Sequence, residues 1–167
     1  MFTSIADFID DYQSERESTL KIFTALTDAS LAQSIAKDHR TIGRLSWHIV
    51  TTYPEMMGRV GLRINGVGDH DPIPLTAEAI VKAYSLVSGE LLEQLKVKWN
   101  DSTLQETVDM YGEKWKNGFT LEVLIRHEIH HRAQMTVLMR QAGLRVPGVY
   151  GPAFEEWSTF GATPPEV

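Results

Sequence analysis

Apolar positions recur along this chain at a helical period, in four long stretches separated by polar breaks. In the first, over 4–26, Ile5, Phe8, Ile9, Tyr12, Ile22, Phe23 and Leu26 fall largely on one face, with charges between them. Asp28 and Ser30 end that pattern and are expected to cap a short turn reaching Ile35. The second stretch, 41–60, carries Ile42, Leu45, Ile49, Met56 and Val60 on its stripe. Pro54 lies inside it, where a kink or a lost backbone bond is expected. Glycines 61, 66 and 68 with prolines 72 and 74 predict a loop over 61–74. A third helix is expected over 76–99, opened by Thr76 as cap with Glu78 in the first turn. Ile80, Ala83, Tyr84, Val87, Leu91 and Leu95 carry it. Periodicity fades over 100–117, where 106–115 reads as extended chain or a small hairpin about Tyr111-Gly112. The fourth helix is expected over 120–141, stopped by Gly143. Residues 144–167, with Pro147, Pro152, Pro164 and Pro165, read as an irregular strap across the bundle. Its Tyr150, Phe154 and Trp157 favour a docked segment over a loose end. Four amphipathic helices without a convincing sheet predict an all-α, antiparallel helical bundle, and nothing divides 1–167 into more than one domain.

Composition narrows the chemistry. At 167 residues, 43% hydrophobic and 23% charged, the chain is too apolar for disorder and long enough to bury a sizeable core. It has no cysteine, which excludes disulfides, cysteine metal sites and a cysteine nucleophile together. Its net charge of -6 argues against nucleic acid as a partner. The first ten residues carry no basic side chain, and no apolar run approaches the ~20 residues that span a bilayer, so a cytoplasmic protein without a membrane partner is expected.

Three of the six histidines crowd into the fourth helix, as His127-Glu128-Ile129-His130-His131. His127 and His131 are four positions apart and therefore one turn apart on one face, a rigid spacing from which two imidazoles reach one metal ion. At about 100° per residue, Leu124, His127, Met135, Leu138 and Ala142 lie within about 40° of His131, on the stripe expected to face the core, and His130 points about 100° away. Carboxylates or carbonyls could equally satisfy these rings. His48 is the best third ligand. It shares a stripe with Arg44, Thr52, Glu55 and Arg59, which is either a solvated face or the polar wall of a pocket. His39 and His70 are expected to be surface residues. The segment also matches the H-E-x-x-H pattern of zinc peptidases, with Glu128 as general base. That reading lacks a sheet to hold a peptide, and only Glu155 and Glu156, beyond a proline, stand downstream as a third ligand.

Leu45-Ser46-Trp47-His48-Ile49, His127-Glu128-Ile129-His130-His131-Arg132-Ala133-Gln134 and Gly143-Leu144-Arg145-Val146-Pro147-Gly148 resemble the DinB-like superfamily, in order and across nearly the whole chain. The resemblance implies a four-helix bundle of up-down-down-up order, common pairing as a homodimer, and a divalent metal on His48, His127 and His131, with His130 a neighbour. Zinc or nickel is the expected ion, with iron or manganese as alternatives. An ion on three neutral imidazoles can activate water for hydrolysis of a small amide or ester, or a thiol for transfer to an electrophile. The resemblance favours transfer of a low-molecular-weight thiol such as bacillithiol or mycothiol. That thiol must come from a cosubstrate. Glu55 as a base and Tyr53, Arg44, Arg59 or Tyr150 as substrate contacts are the candidate assistants, with Trp47 and Trp115 expected to pack. A non-catalytic, metal-stabilised dimeric binding module is the third reading; it needs a fourth protein ligand where an enzyme keeps an open position.

Overall fold

The structure is a computed structural model describing residues 1–68 and 70–166. Position 69 of the 61–74 loop and the last residue of the strap lie outside the described residues. Four helices carry the fold, and side-chain caps open three of them. Ser4 accepts from the Asp7 amide to open α1 (Ile5–Thr24). Thr41 does the same for Arg44 at α2 (Ile42–Arg59), and Thr76 for Ala79 at α3 (Ala77–Lys98). Pro54 sits inside α2 without ending it. A 3-10 turn over Asp28–Ala32 follows α1, boxed by Thr27 and Ser30.

The weakly patterned stretch before the last helix is a hairpin, which adds a small sheet to the all-α expectation. β1 (Thr107–Met110) pairs antiparallel with β2 (Glu113–Lys116). Tyr111 and Gly112 make the two-residue turn, both at positive φ (57° and 86°), the backbone that matches strand twist. Met110 is buried, while most of the hairpin faces outward.

α4 (Asn117–Gln141) begins ahead of the expected 120. Tertiary contacts recruit those first residues. The Asn117 amide bonds Glu106 O at 2.9 Å and its side chain donates to Thr103 O at 3.0 Å. Gly118 lets the N-terminal segment lie against the helix: a Cβ there would stand 2.1 Å from Phe2 O.

α2 packs on α3 and α4, and α1 packs on the same two, so the four enclose one core. Phe2 and Ile5 bond Gly118 and Asp101, placing the start of α1 beside the start of α4 and the end of α3. Ser46 donates to Met135 Sδ, placing the start of α2 beside the last turns of α4. Among the described residues no helix is long and apolar enough to cross a membrane.

The strap is docked, and it is more regular than expected, with a 3-10 helix over Phe154–Phe160 ended by Gly161 at positive φ. Arg140 pairs with Glu155, and Glu156 accepts from the Gly148 and Ala153 amides at 3.1 and 2.9 Å. Tyr150 reaches back to Glu15 of α1 and Arg132 of α4.

Candidate metal centre

His48 sits one and a half turns into α2, where that helix packs on α4, and His127 and His131 project from α4 toward it. The ligand nitrogens of the three rings lie within 4.8 Å of one another. His48 Nε2 stands 3.0 Å from His127 Nε2. Two imidazole nitrogens so close repel unless a proton or a cation is shared between them. Ring centroids are 4.5 to 4.8 Å apart and the planes are steeply inclined, so the rings meet in T-shaped contacts. His131 Nδ1 lies 2.8 Å from Gln134 Oε1. That oxygen only accepts, so Nδ1 holds the proton and Nε2 keeps its lone pair, the outer-shell arrangement typical of metal-bound histidine. Gln134 Nε2 in turn donates to exposed His130 at 3.1 Å.

Electrostatics keep these rings neutral. Burial pushes His48 down to about 4, with Arg40, His131 and Arg44 adding. Burial first, then His131, His48 and His130, brings His127 to about 4. His131 is lowered as well, chiefly by burial, against the opposing bond to Gln134. At neutral pH three uncharged imidazoles converge, so a metal can bind with no net release of protons, the proton between His48 and His127 moving to a far ring nitrogen. The donor set therefore fits a divalent transition metal.

The remaining candidates sort by burial. Glu128 is not a base at this site. It is 2% exposed and turned into the core, where it accepts from Thr19 and Tyr53 at 2.5 Å and Tyr84 at 2.7 Å. Burial raises its carboxyl, while these donors and Arg132 oppose the rise. Tyr53, a candidate substrate contact, is fully buried: it donates to Glu128 and accepts from Tyr12 at 2.7 Å, leaving no surface for a substrate. Glu55 is held by Arg59 at 2.8 Å and by the Tyr111 hydroxyl at 2.5 Å, and Arg59 lies over the Tyr111 ring. Arg44 is exposed. The Tyr150 hydroxyl is engaged by Arg132 at 2.6 Å and donates to Glu15 at 2.7 Å. Trp47 packs in the core and donates to Asp71 O, and Trp115 packs on Tyr111 and Phe119. His70 is exposed; His39, also exposed, lines a cavity beside His131.

Sequence reasoning missed the network behind the ligands. Arg132, 2% exposed, donates to Thr19 at 3.0 Å and pairs with Glu15 at 2.5 Å. Tyr12, Tyr53 and Tyr84, one on each of α1, α2 and α3, were the available signal: hydroxyls on apolar stripes with one carboxylate within reach.

This arrangement has relatives. The DinB family profile matches residues 1–166. The protein YrdA of Bacillus subtilis (strain 168) is 41% identical over 167 residues, covering 100% of both chains. A crystal structure of a DinB-like protein from Bacillus cereus is 44% identical with a TM-score of 0.87, covering 90% of this chain and 100% of that one. A second DinB-like structure, YjoA of Bacillus subtilis, is 20% identical with a TM-score of 0.68, covering 86% of this chain and 96% of that one, and speaks for the fold alone. With the profile spanning the chain and these relatives alike along its length, the chain belongs to the DinB family.

Proposed function

We propose that this protein is a metal-dependent enzyme that transfers a low-molecular-weight thiol to an electrophile. His48, His127 and His131 are its ligands, zinc or nickel its ion, with iron or manganese as alternatives, and a cytoplasmic homodimer its working form. The observation that carries the reading is the donor set: three neutral imidazoles from two helices, with no carboxylate among them. A divalent ion held there keeps its full charge and lowers the pKa of a thiol or water that reaches it. Gln134 fixes the His131 proton on Nδ1, and the Glu128 network holds α4 in place behind the ligands. The contacts at the helix ends favour the up-down-down-up order for the bundle that carries the site.

Thiol transfer ranks above metal-dependent hydrolysis on the resemblance to the DinB-like superfamily, and Glu55, the candidate base, is committed to Arg59 and Tyr111. With no cysteine in the chain, the thiol arrives as a cosubstrate. A non-catalytic binding module would close the coordination with a fourth ligand. Among the described residues no fourth histidine or carboxylate joins the three.

Metal content by plasma mass spectrometry, on untagged wild type and His127→Ala in parallel, tests the reading. Near one equivalent in wild type, lost in the variant, is expected and directs thiol-transfer assays with bacillithiol and an alkyl halide. Wild type that stays metal-free after incubation with zinc and nickel overturns it.

A further inference from the structure

Between the 34–41 loop and α4 lies a cavity of about 470 Å³, within the range that holds a small ligand. His131 lines it, so it opens directly beside the imidazole cluster. Ile35, Leu45, Val137 and Leu138 make most of its wall. Ile35 and Val137 are about half exposed (55% and 53%) and leave apolar surface open at the mouth of the cavity. The one formally charged group in the lining is Arg40.

Arg40 is placed as if for an external partner. Arg59, Arg132 and Arg140 are held by Glu55, Glu15 and Glu155. Arg40, like Arg16, Arg44, Arg63 and Arg145, has no carboxylate partner among the described residues; it is set apart by lining the cavity beside His131. Its loop is pinned at the base by the Ser34–Thr41 bridge and the Ile42 amide on Gln33 O at 2.8 Å. Asp38 turns the loop at a positive φ of 62°. In a molecule of net charge -6, a positive spot of this kind is where an anion can approach.

We infer that this cavity binds a small organic carboxylate, its anionic end on the Arg40 guanidinium and its apolar body along Leu45, Val137 and Leu138, so that the ligand lies beside His131. The planar fork of an arginine matches a carboxylate with two parallel hydrogen bonds. The aliphatic wall sets the rest of the class: an unbranched or lightly branched chain, without polar groups along its length. The inference deepens the metal-dependent reading by naming the kind of molecule brought to the site, and it rests on that reading only for the reaction that follows.

Calorimetric titration with octanoate and with the neutral octanamide separates the contributions. The proteins are zinc-saturated wild type, Arg40→Gln, Arg40→Lys and His127→Gln, with metal content measured on each. Wild type is expected to bind octanoate roughly tenfold tighter than octanamide. Arg40→Gln should erase that preference while leaving octanamide affinity unchanged, and Arg40→Lys should restore part of it. Because Val137 is exposed, Val137→Asp should fold normally and lose octanoate. Equal octanoate affinity in wild type and Arg40→Gln, or no octanoate binding at all, overturns the inference. A preference that survives in Arg40→Gln and vanishes in His127→Gln puts the carboxylate on the ion, overturning the Arg40 assignment while upholding the metal. Arg40-dependent octanoate binding by a wild type that takes up no metal supports the pocket and refutes the metal reading. Self-association abolished by Val137→Asp and unaffected by octanoate assigns the face to a second copy and overturns the inference.

Discussion

Glu128 lies between the two candidate ligand positions on α4 but about 60° to 100° round the helix from them, turned to hydroxyls of α1, α2 and α3, and that division organises the site. Its two oxygens take three hydroxyl donors, which favours the ionised form, while burial favours the neutral one. Glu128→Gln keeps the volume but sets amide hydrogens against hydroxyl hydrogens in a sealed space. Urea unfolding should show a loss of about 3 kcal/mol, the scale for breaking a buried charged network, with metal content close to wild type. Unchanged stability would mean that the network carries little. The histidines give a pH dependence of definite sign. His48 and His127 titrate near 4 in the folded protein and near 6.5 in the unfolded chain. Between those values the unfolded chain takes up protons that the folded one refuses, so these groups make metal-free protein less stable as pH falls from about 6.5 toward 4. Both rings are only half-buried, which makes the effect smaller than full burial would. Melting temperature against pH should fall more steeply for metal-free wild type than for the His48→Gln, His127→Gln double variant; parallel curves would contradict the shifts.

At the scale of elements, α4 does most of the positioning. It supplies two ligands, the core carboxylate and the arginine that receives the strap. Its start depends on Phe2 crossing Gly118 with no room for a Cβ. Gly118→Ala should displace that crossing and lose about 1–3 kcal/mol, read as a lower urea midpoint with faster proteolysis of the first residues. Wild-type behaviour would show that the N-terminus yields freely. Much of this architecture was legible in the sequence. Period marked helices starting near 4 and 41, period with a cap marked the one at Thr76, a Tyr-Gly pair marked the hairpin, and an i, i+4 spacing marked His127 and His131. The orientation of α4 was less so. A wheel centred on His131 treats Glu128 as a misfit, because nothing in the helix's own period says that hydroxyls from α1, α2 and α3 will meet it. Buried polar side chains flatten the apolar pattern that reveals a core face. The same ambiguity made Tyr53 look available to a substrate and gave no hint that Arg40 would share a cavity with His131.

For the molecule as a whole, the same helices build the core and hold the ligands, so the site has no scaffold of its own. Pairing as a homodimer belongs to the proposal, and sedimentation equilibrium should return twice the 18.8 kDa of one chain. A single species at the monomer mass would remove the dimer from it. The distance along the chain between the ligands carries one more consequence. His48 and His127 are 79 positions apart, joined in space only when α2 and α4 have met. An unfolded chain retains the local His127–His131 pair but has no reason to bring the third ring near it. A partly assembled protein is therefore a poor chelator, and full affinity arises only once the tertiary structure is complete. On the proposed reading folding would precede loading, and the finished bundle, not the nascent chain, would be the form that takes up metal.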